Sequence, residues 1–181
     1  MEDLSLHILD IVENAIEARA KKIDILVIEE PSQDQLVIEI KDDGIGMDEE
    51  MSQKAIDPFF TTRASRRVGL GLSFMAQAAQ EAGGGLQIES EFGKGTKVTA
   101  TFQYHHIDRK PLGSMVETMT TLLLGNPDLD IFYTHKKNGK SYALNSHWVK
   151  ERYRDRSSIN PEVIRWLKTH LREGLDQIGV P

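Results

Sequence analysis

The sequence contains no cysteine and no long hydrophobic segment. The absence of cysteine excludes disulfides, thiolate metal sites and cysteine nucleophiles, and it suits a reducing compartment. No apolar run approaches the roughly 18–20 residues that a membrane-spanning helix needs. The acidic residues Glu2 and Asp3 are unlike the start of a signal peptide. We therefore expect a cytoplasmic protein with no membrane partner.

The chain also lacks an excess of positive charge. Its 22 basic and 28 acidic side chains give a formal net charge of -6. Nucleic-acid-binding domains usually carry a basic surface, so this balance predicts no nucleic-acid partner. The 181 residues, 39% hydrophobic and 28% charged, suit one ordinary globular domain or a domain with an appendage.

Residues 36–47 combine a strand pattern with a glycine-spaced turn. Leu36, Ile38 and Ile40 alternate with more polar residues, which is the period of a half-buried strand. The strand continues directly into DDGIG at residues 42–46. A carboxylate there can accept a hydrogen bond from an amine, and the glycines allow the backbone to approach a planar base. The pattern alone also fits an ordinary tight turn that begins with an acidic residue.

Residues 3–20 have the period of an amphipathic helix. One side is apolar, and the other carries Asp10, Glu13, Asn14 and Glu17. A solvent-facing polar side would explain this distribution. However, Asp10 and Asn14 are four residues apart and project together, and a carboxylate and an amide oxygen are ligands that suit Mg²⁺.

A second glycine pair precedes another predicted helix. Residues 69–72, GLGL, begin a helix that extends to about Ala82, and exposed backbone N–H groups at such an end can bind an anion. Residues 61–68 before it contain three arginines and no apolar pattern, which predicts a mobile loop. Two strands follow, at 86–90 and 97–104, joined by a turn with the sequence GKGT at 93–96.

The pattern changes after residue 104. We expect a helix over 112–124, a hairpin over 130–145 with Asn138 and Gly139 at its turn, and a helix over about 160–178 capped by Asn160. These patterns predict a first domain at 1–104 and a C-terminal extension at 105–181, for which the sequence indicates no role.

The ordered set of these features over about residues 4–104 resembles the ATP-binding domain of the GHKL superfamily, which includes gyrase, heat-shock chaperones, histidine kinases and mismatch-repair ATPases. The sequences DPFFTTR, GLGLSF and FGKGTKVTATF are most similar to histidine kinases, whereas ENAIEARAKKIDI at 13–25 is closer to mismatch-repair ATPases. The resemblance implies an α+β fold, the Bergerat fold. This is a two-layer sandwich with a mixed, mostly antiparallel sheet and helices on one face, here followed by a small α/β extension.

The resemblance also implies a site for ATP and Mg²⁺. Asp42 would bind the adenine amine, with Gly44, Gly46 and Thr96 around it. Asn14 would hold Mg²⁺, with Asp10 as a second candidate ligand. The other residues implied to contact the nucleotide are Met47, Phe60, Thr61, Thr62, Arg63, Gly69, Leu70, Gly71 and Leu72. Among these, Arg63 would reach the γ-phosphate, and residues 61–68 would form a lid that nucleotide orders.

The chain departs from the hydrolysing members at one catalytic position. The residue four before the Mg²⁺ asparagine is a water-activating glutamate in those members, and here it is Asp10. Glu13 is a further candidate for the base. The resemblance therefore implies slow ATP hydrolysis or phosphoryl transfer to a protein partner in trans, and leaves both open.

A histidine kinase also has a phosphoaccepting helix, normally ahead of this domain, and only three residues precede the first predicted helix. The segment from His106 to Pro111 distantly resembles an acceptor sequence but lacks the acid after the histidine, so we interpret His106 as a linker residue. Two other hypotheses remain. In one, ATP is a conformational ligand and residues 105–181 dock a protein partner. The other is a DNA-repair ATPase, which the acidic balance disfavours. Homodimer formation stays open.

Overall fold

The computed structural model describes residues 3–57, 70–152 and 161–181. Its helices and strands are α1 (Leu4–Glu17), β1 (Lys22–Glu30), β2 (Gln35–Asp42), α2 (Glu49–Lys54), α3 (Leu70–Glu81), β3 (Gly85–Glu91), β4 (Gly95–Gln103), α4 (Met115–Gly125), β5 (Asp130–Lys137), β6 (Lys140–Asn145), α5 (Ser146–Arg152) and α6 (Pro161–Gln177). Within the described ranges, no helix is long and apolar enough to cross a bilayer.

All six strands belong to one open sheet, in the order β3-β4-β2-β1-β5-β6. Neighbouring strands are antiparallel except β1 and β5, which are parallel. The sheet buries alternate residues on the face that carries the core, and the other face stays partly exposed. The expected α+β architecture with a mixed, mostly antiparallel sheet is therefore confirmed.

The core forms between the sheet and the helices that pack on it. In α1 the predicted apolar stripe is buried at Leu4, Ile8 and Val12, and Ile16 at its end is only partly buried. A fully buried aliphatic side chain of this size contributes roughly 1.5–3 kcal/mol, so this stripe holds α1 on the sheet. It also leaves the polar side of α1 free to face α3.

Residues after 104 extend the same sheet. Strand β5 pairs with β1 over its whole length, from Lys22 opposite Asp130 to Glu29 opposite Lys137. The predicted turn is also confirmed. Asn138 and Gly139 have φ values of 50° and 76°, and a two-residue type I′ hairpin loop requires a positive φ at both positions. The division into two domains after residue 104 stays a prediction. Residues 1–104 and residues 105–181 both supply strands to one sheet.

Helix α5 was not expected from the sequence. It has seven residues, too few to show a helical period, and it begins immediately after β6. Its start is marked by Asn145, whose side-chain oxygen accepts a hydrogen bond from the Trp148 N–H at 3.0 Å. Asparagine is a favoured N-cap residue, so Asn145 is a local signal for the start of this helix. The predicted cap of α6, Asn160, lies outside the described residues.

A buried ionic cluster lies at the end of β1. The carboxylate of Glu29, 6% exposed, accepts a hydrogen bond at Oε2 from the Tyr104 hydroxyl (3.0 Å), and its Oε1 lies 2.8 Å from His135 Nε2. Lys137 Nζ is 3.3 Å from Oε2, and the Tyr133 hydroxyl is 2.7 Å from the other nitrogen of His135. Burial raises the pKa of Glu29, but the hydrogen bond to His135 and the charge of Lys137 outweigh it and leave this pKa below its ordinary value.

We expect Glu29→Gln to lower the free energy of unfolding by roughly 1–3 kcal/mol at pH 7, because a charge-assisted hydrogen-bond cluster is lost. The folded pKa of Glu29 lies below the unfolded value of 4.5, so this stabilisation is present above that pH and is lost as the pH falls through the folded pKa. Urea unfolding at pH 7 and near pH 4 measures the difference. Glu30→Gln, on the other face of β1, is the control. An equal difference at both pH values would contradict the linkage.

Candidate functional site

A row of polar residues crosses three neighbouring strands at one end of the sheet. The register places Asp42 of β2 opposite Thr96 of β4, and Thr96 opposite Ser90 of β3. Asp42 and Thr96 are in phase with the buried residues Ile40 and Val98, so this row lies on the face that the helices cover. Side chains that are 54 positions apart in the sequence are thereby brought side by side.

The carboxylate of Asp42 is held in place by backbone groups. Its Oδ1 accepts a hydrogen bond from the Gly44 N–H at 2.8 Å, and the backbone N–H of Thr96 donates to the same carboxylate. Burial raises the pKa of Asp42 above its ordinary value in spite of these hydrogen bonds, and the charge of Asp43 adds to the rise. The site therefore contains an oriented carboxylate acceptor that is only partly hydrated.

Glycines allow the two turns beside Asp42 to touch through their backbones. Gly95 has a φ of +100°, and a Cβ there would lie 2.0 Å from the carbonyl oxygen of Asp42. Gly46 has a φ of +67°, and a Cβ there would lie 2.1 Å from the carbonyl oxygen of Glu91. The sequence interpretation used the glycines for contact with a base. The structure gives a second reason for Gly46, namely close packing within the protein, and the same packing requires glycine at position 95.

The turn after β2 is also fixed to the end of α1. The Ile45 N–H donates to the carbonyl of Ala18 at 2.9 Å, and a Cβ on Gly44 would lie 2.8 Å from that same oxygen. The Asp43 carboxylate accepts hydrogen bonds from the N–H groups of Lys21 and Lys22, at 2.7 and 2.9 Å. The Asp42 end of the sheet and the last turn of α1 therefore form one unit.

Helix α3 begins against the polar side of α1. A Cβ on Gly71 would lie 2.5 Å from Cβ of Asp10, so the two helices touch there at backbone distance. Asp10 and Asn14 are half-buried, and Glu13 is exposed. The described start of α3 therefore lies beside Asp10, one of the two predicted magnesium ligands.

Several predicted site residues are placed by these contacts and others are not described. Met47 is half-buried and donates its N–H to the Ser90 hydroxyl at 2.8 Å, while Leu70 and Leu72 are half-buried in the first turn of α3. Phe60, Thr61, Thr62, Arg63 and Gly69, with the rest of the lid at 61–68, lie outside the described residues. Within the described ranges, no three His, Asp or Glu side chains converge as a metal site.

Ser90 was missed by the sequence reasoning. Its hydroxyl contacts Met47, Gly95 and Thr96, so it belongs to the site. The β3–β4 hairpin, which turns at residues 92–94, places position 90 opposite position 96. A serine in a short, mostly polar strand has no pattern that distinguishes it from a solvent-facing residue.

Comparison with known proteins identifies the family. The model of the histidine kinase-, DNA gyrase B-, and HSP90-like ATPases matches residues 2–106. The chain belongs to this ATPase family. Its N-terminal part is thus the ATP-binding domain that histidine-kinase-like ATPases share, as the motifs implied.

Curated histidine kinases are similar to about half of this chain. The chain is 40% identical over 89 residues to sporulation kinase E of Bacillus subtilis (strain 168), which is 49% of this chain and 12% of the kinase. It is 36% identical over 96 residues to the signal transduction histidine-protein kinase ArlS of Staphylococcus aureus (strain USA300), which is 50% of this chain and 21% of that kinase. The chain therefore spans only a small share of these relatives.

A solved structure shares the fold of this chain. The N-terminal domain of a DNA repair protein aligns with a TM-score of 0.55 at 16% identity, over 80% of this chain and 52% of the other. At this identity the likeness concerns the fold alone. Its coverage is larger than the part that the family model matches, so the shared fold includes residues beyond position 106.

We expect Gly95→Ala to destabilise the domain by roughly 1–3 kcal/mol or more, because the new Cβ would meet the Asp42 carbonyl and φ would stay positive. Gly93→Ala is the matched control, since Gly93 lies in the same turn with a φ of +84° and has nothing within 4 Å of a Cβ. Urea unfolding of both variants measures the difference. Equal losses would show that φ strain alone, and not backbone packing at Asp42, explains the requirement for glycine.

Proposed function

We propose that this protein binds Mg²⁺·ATP and turns it over slowly, either by hydrolysis or by phosphoryl transfer to a protein partner. The observation that carries the proposal is the Asp42 carboxylate, which two backbone N–H groups orient at the end of the sheet beside Thr96. Family membership supports ATP as the nucleotide. The contact between α3 and Asp10 supports phosphate binding next to that helix end.

Base recognition follows from the chemistry of Asp42. An ionised carboxylate only accepts hydrogen bonds, and adenine offers an exocyclic amine at the position where guanine has a carbonyl oxygen. A site built around this bond rejects guanine, because the half-buried carboxylate would face another acceptor and stay unpaired. A Cβ on Gly44 would lie 2.9 Å from Oδ1 of Asp42, so glycine at this position keeps a side chain away from the carboxylate.

Phosphate and metal binding are assigned to the junction of α1 and α3. The first turn of α3 offers N–H groups, and Gly71 lets this turn approach Asp10. Asn14 and Asp10 would supply two oxygen ligands from neighbouring turns of α1, which fits Mg²⁺ because this ion usually takes few protein ligands and completes its shell with phosphate and water. When bound, Mg²⁺ would offset the negative charge of the phosphates.

We expect Asp42→Asn to weaken ATP binding by roughly 1–3 kcal/mol, because an amide is a poorer acceptor and can present its NH₂ to the adenine amine. Isothermal titration of ATP and GTP with excess Mg²⁺ measures the change. Asp43→Asn is the control, since its carboxylate oxygen serves the N–H groups of Lys21 and Lys22. GTP binding as tight as ATP binding to the unaltered protein would refute the role of Asp42.

The rate of hydrolysis depends on Asp10. A general base must lie within hydrogen-bond reach of the proton it removes, directly or through one water. Aspartate is one methylene shorter than glutamate, so the carboxylate would be displaced by about 1 Å, and misplacement on that scale costs on the order of 10²-fold in rate. We therefore infer normal ATP affinity with slow hydrolysis.

Asp10→Asn should then remove most of the residual turnover while ATP affinity changes by no more than a few-fold. If Asp10 is instead only a magnesium ligand, the same variant loses Mg²⁺-dependent affinity. Turnover and affinity measured at two Mg²⁺ concentrations separate these outcomes. Glu13→Gln, on the exposed side of the same helix, should be neutral. Turnover that depends on Glu13 and not on Asp10 would move the base role to Glu13.

An alternative function is a nucleotide-dependent interaction module. Two observations favour it. Strand β5 of the extension pairs in parallel with β1 of the ATP-binding part. In addition, Trp148, 39% exposed, lies against Trp166 and His170 with ring centroids 5.0 and 4.5 Å apart. In this proposal, ATP acts as a conformational ligand and the extension docks a protein. Product analysis with radiolabelled ATP decides, because free phosphate or a phosphoprotein supports the enzyme and intact ATP supports the module.

A further inference from the structure

Ser90 of β3 contacts two other segments around the candidate base site, the turn after β2 and the start of β4. Its hydroxyl oxygen lies 2.8 Å from the Met47 nitrogen, 3.0 Å from the Gly95 carbonyl oxygen and 2.8 Å from the Thr96 hydroxyl oxygen. Met47 follows the turn after Asp42, and Gly95 and Thr96 begin β4. One side chain thus contacts both turns that touch Asp42.

The protons of this cluster can be assigned from the distances. Two oxygens 3.0 Å apart attract only if a proton lies between them, and a carbonyl has none, so the Ser90 hydroxyl must donate to Gly95. Ser90 accepts from the Met47 N–H with one lone pair. Its remaining lone pair can then accept only from the Thr96 hydroxyl. All three contacts are satisfied in this arrangement. If Ser90 donated to Thr96 instead, two oxygen lone pairs would face each other at Gly95.

The assignment fixes what Thr96 can offer to a ligand. Its hydroxyl proton is directed at Ser90, so only lone pairs remain on the side away from Ser90. In the register across the strands, the neighbour on that side is Asp42, whose ionised carboxylate also only accepts. The row therefore ends in two adjacent acceptors, and it attracts a ligand group that has hydrogens to donate.

We propose that Ser90 is a positioning residue for base selectivity: by accepting the Thr96 hydroxyl proton, it makes Thr96 and Asp42 jointly select a base with an exocyclic amine. The inference rests on the proposed function, because it concerns the same nucleotide site. It adds a residue and a mechanism to it. In the absence of Ser90, the Thr96 hydroxyl is free to rotate and to donate to a carbonyl oxygen, so discrimination against such bases should fall.

The test compares ATP with inosine triphosphate, which has a carbonyl oxygen in place of the amine. Affinities of both nucleotides are measured by isothermal titration with excess Mg²⁺ on the full chain. In Ser90→Ala we expect the preference for ATP to fall by about tenfold, the value of one neutral hydrogen bond, with weaker ATP binding and stronger binding of inosine triphosphate. Ser90→Thr retains the hydroxyl and should retain the preference.

The control is Thr101→Val, which removes another hydroxyl that links β3 and β4, since Thr101 donates to the Gly85 carbonyl at 3.3 Å at the far end of the hairpin. It should leave the preference unchanged. If Ser90→Ala does not fold, Ser90→Cys keeps the volume with a weak hydrogen-bonding group and should show the same fall. An unchanged preference, or an equal loss of both affinities, would overturn the role of Ser90 alone. Failure of the unaltered chain to bind ATP would overturn the proposed function as well.

Discussion

Backbone contact between two glycine turns determines where the polar groups of the candidate site lie. Gly95 packs on the Asp42 carbonyl, and Gly46 packs on that of Glu91, at distances that leave no room for a side chain. This contact fixes the end of β2 against the start of β4, and the strand register then places Asp42, Thr96 and Ser90 in one row. Accurate placement matters because hydrogen bonds weaken steeply with misalignment.

The sheet connects this site to the C-terminal part of the chain. Strand β1 has β2, with Asp42 at its end, on one side and β5 on the other. The ionic cluster of Glu29 with His135 and Lys137 ties β1 to β5 at the end of the sheet opposite to Asp42. A parallel pair of strands needs a long connection, and α4 lies in that connection. The extension is therefore anchored to β1, which is an inner strand of the six-stranded sheet.

Local patterns predicted most of the elements and the acidic end of the row. The alternation over 36–40 predicted β2, the apolar stripe predicted α1, and the Asn138–Gly139 pair predicted the last hairpin. Contacts between distant positions left no local pattern. The parallel pairing of β1 with β5 and the contact of Glu29 with His135, 106 positions apart, depend on how the sheet assembles. The contact of Gly71 with Asp10 and the bonds of Ser90 are likewise consequences of packing and register, which sequence periodicity does not encode.

The carboxylates of Glu29 and Asp42, both on the helix-covered face of the sheet, differ in a way that separates structure from function. At Glu29, His135, Lys137 and Tyr104 supply donors and charge, and they lower the pKa in spite of burial. At Asp42 the donors within the described part of the chain are two backbone N–H groups, so burial prevails and the pKa is raised. An ionised carboxylate held in this way destabilises the fold, and such groups concentrate at binding sites. A ligand amine at Asp42 would supply a donor in the way that His135 and Lys137 do at Glu29. The pKa is lowered at Glu29 and raised at Asp42. This difference is a physical reason to propose ligand binding at the Asp42 end of the sheet and structural anchoring at the Glu29 end.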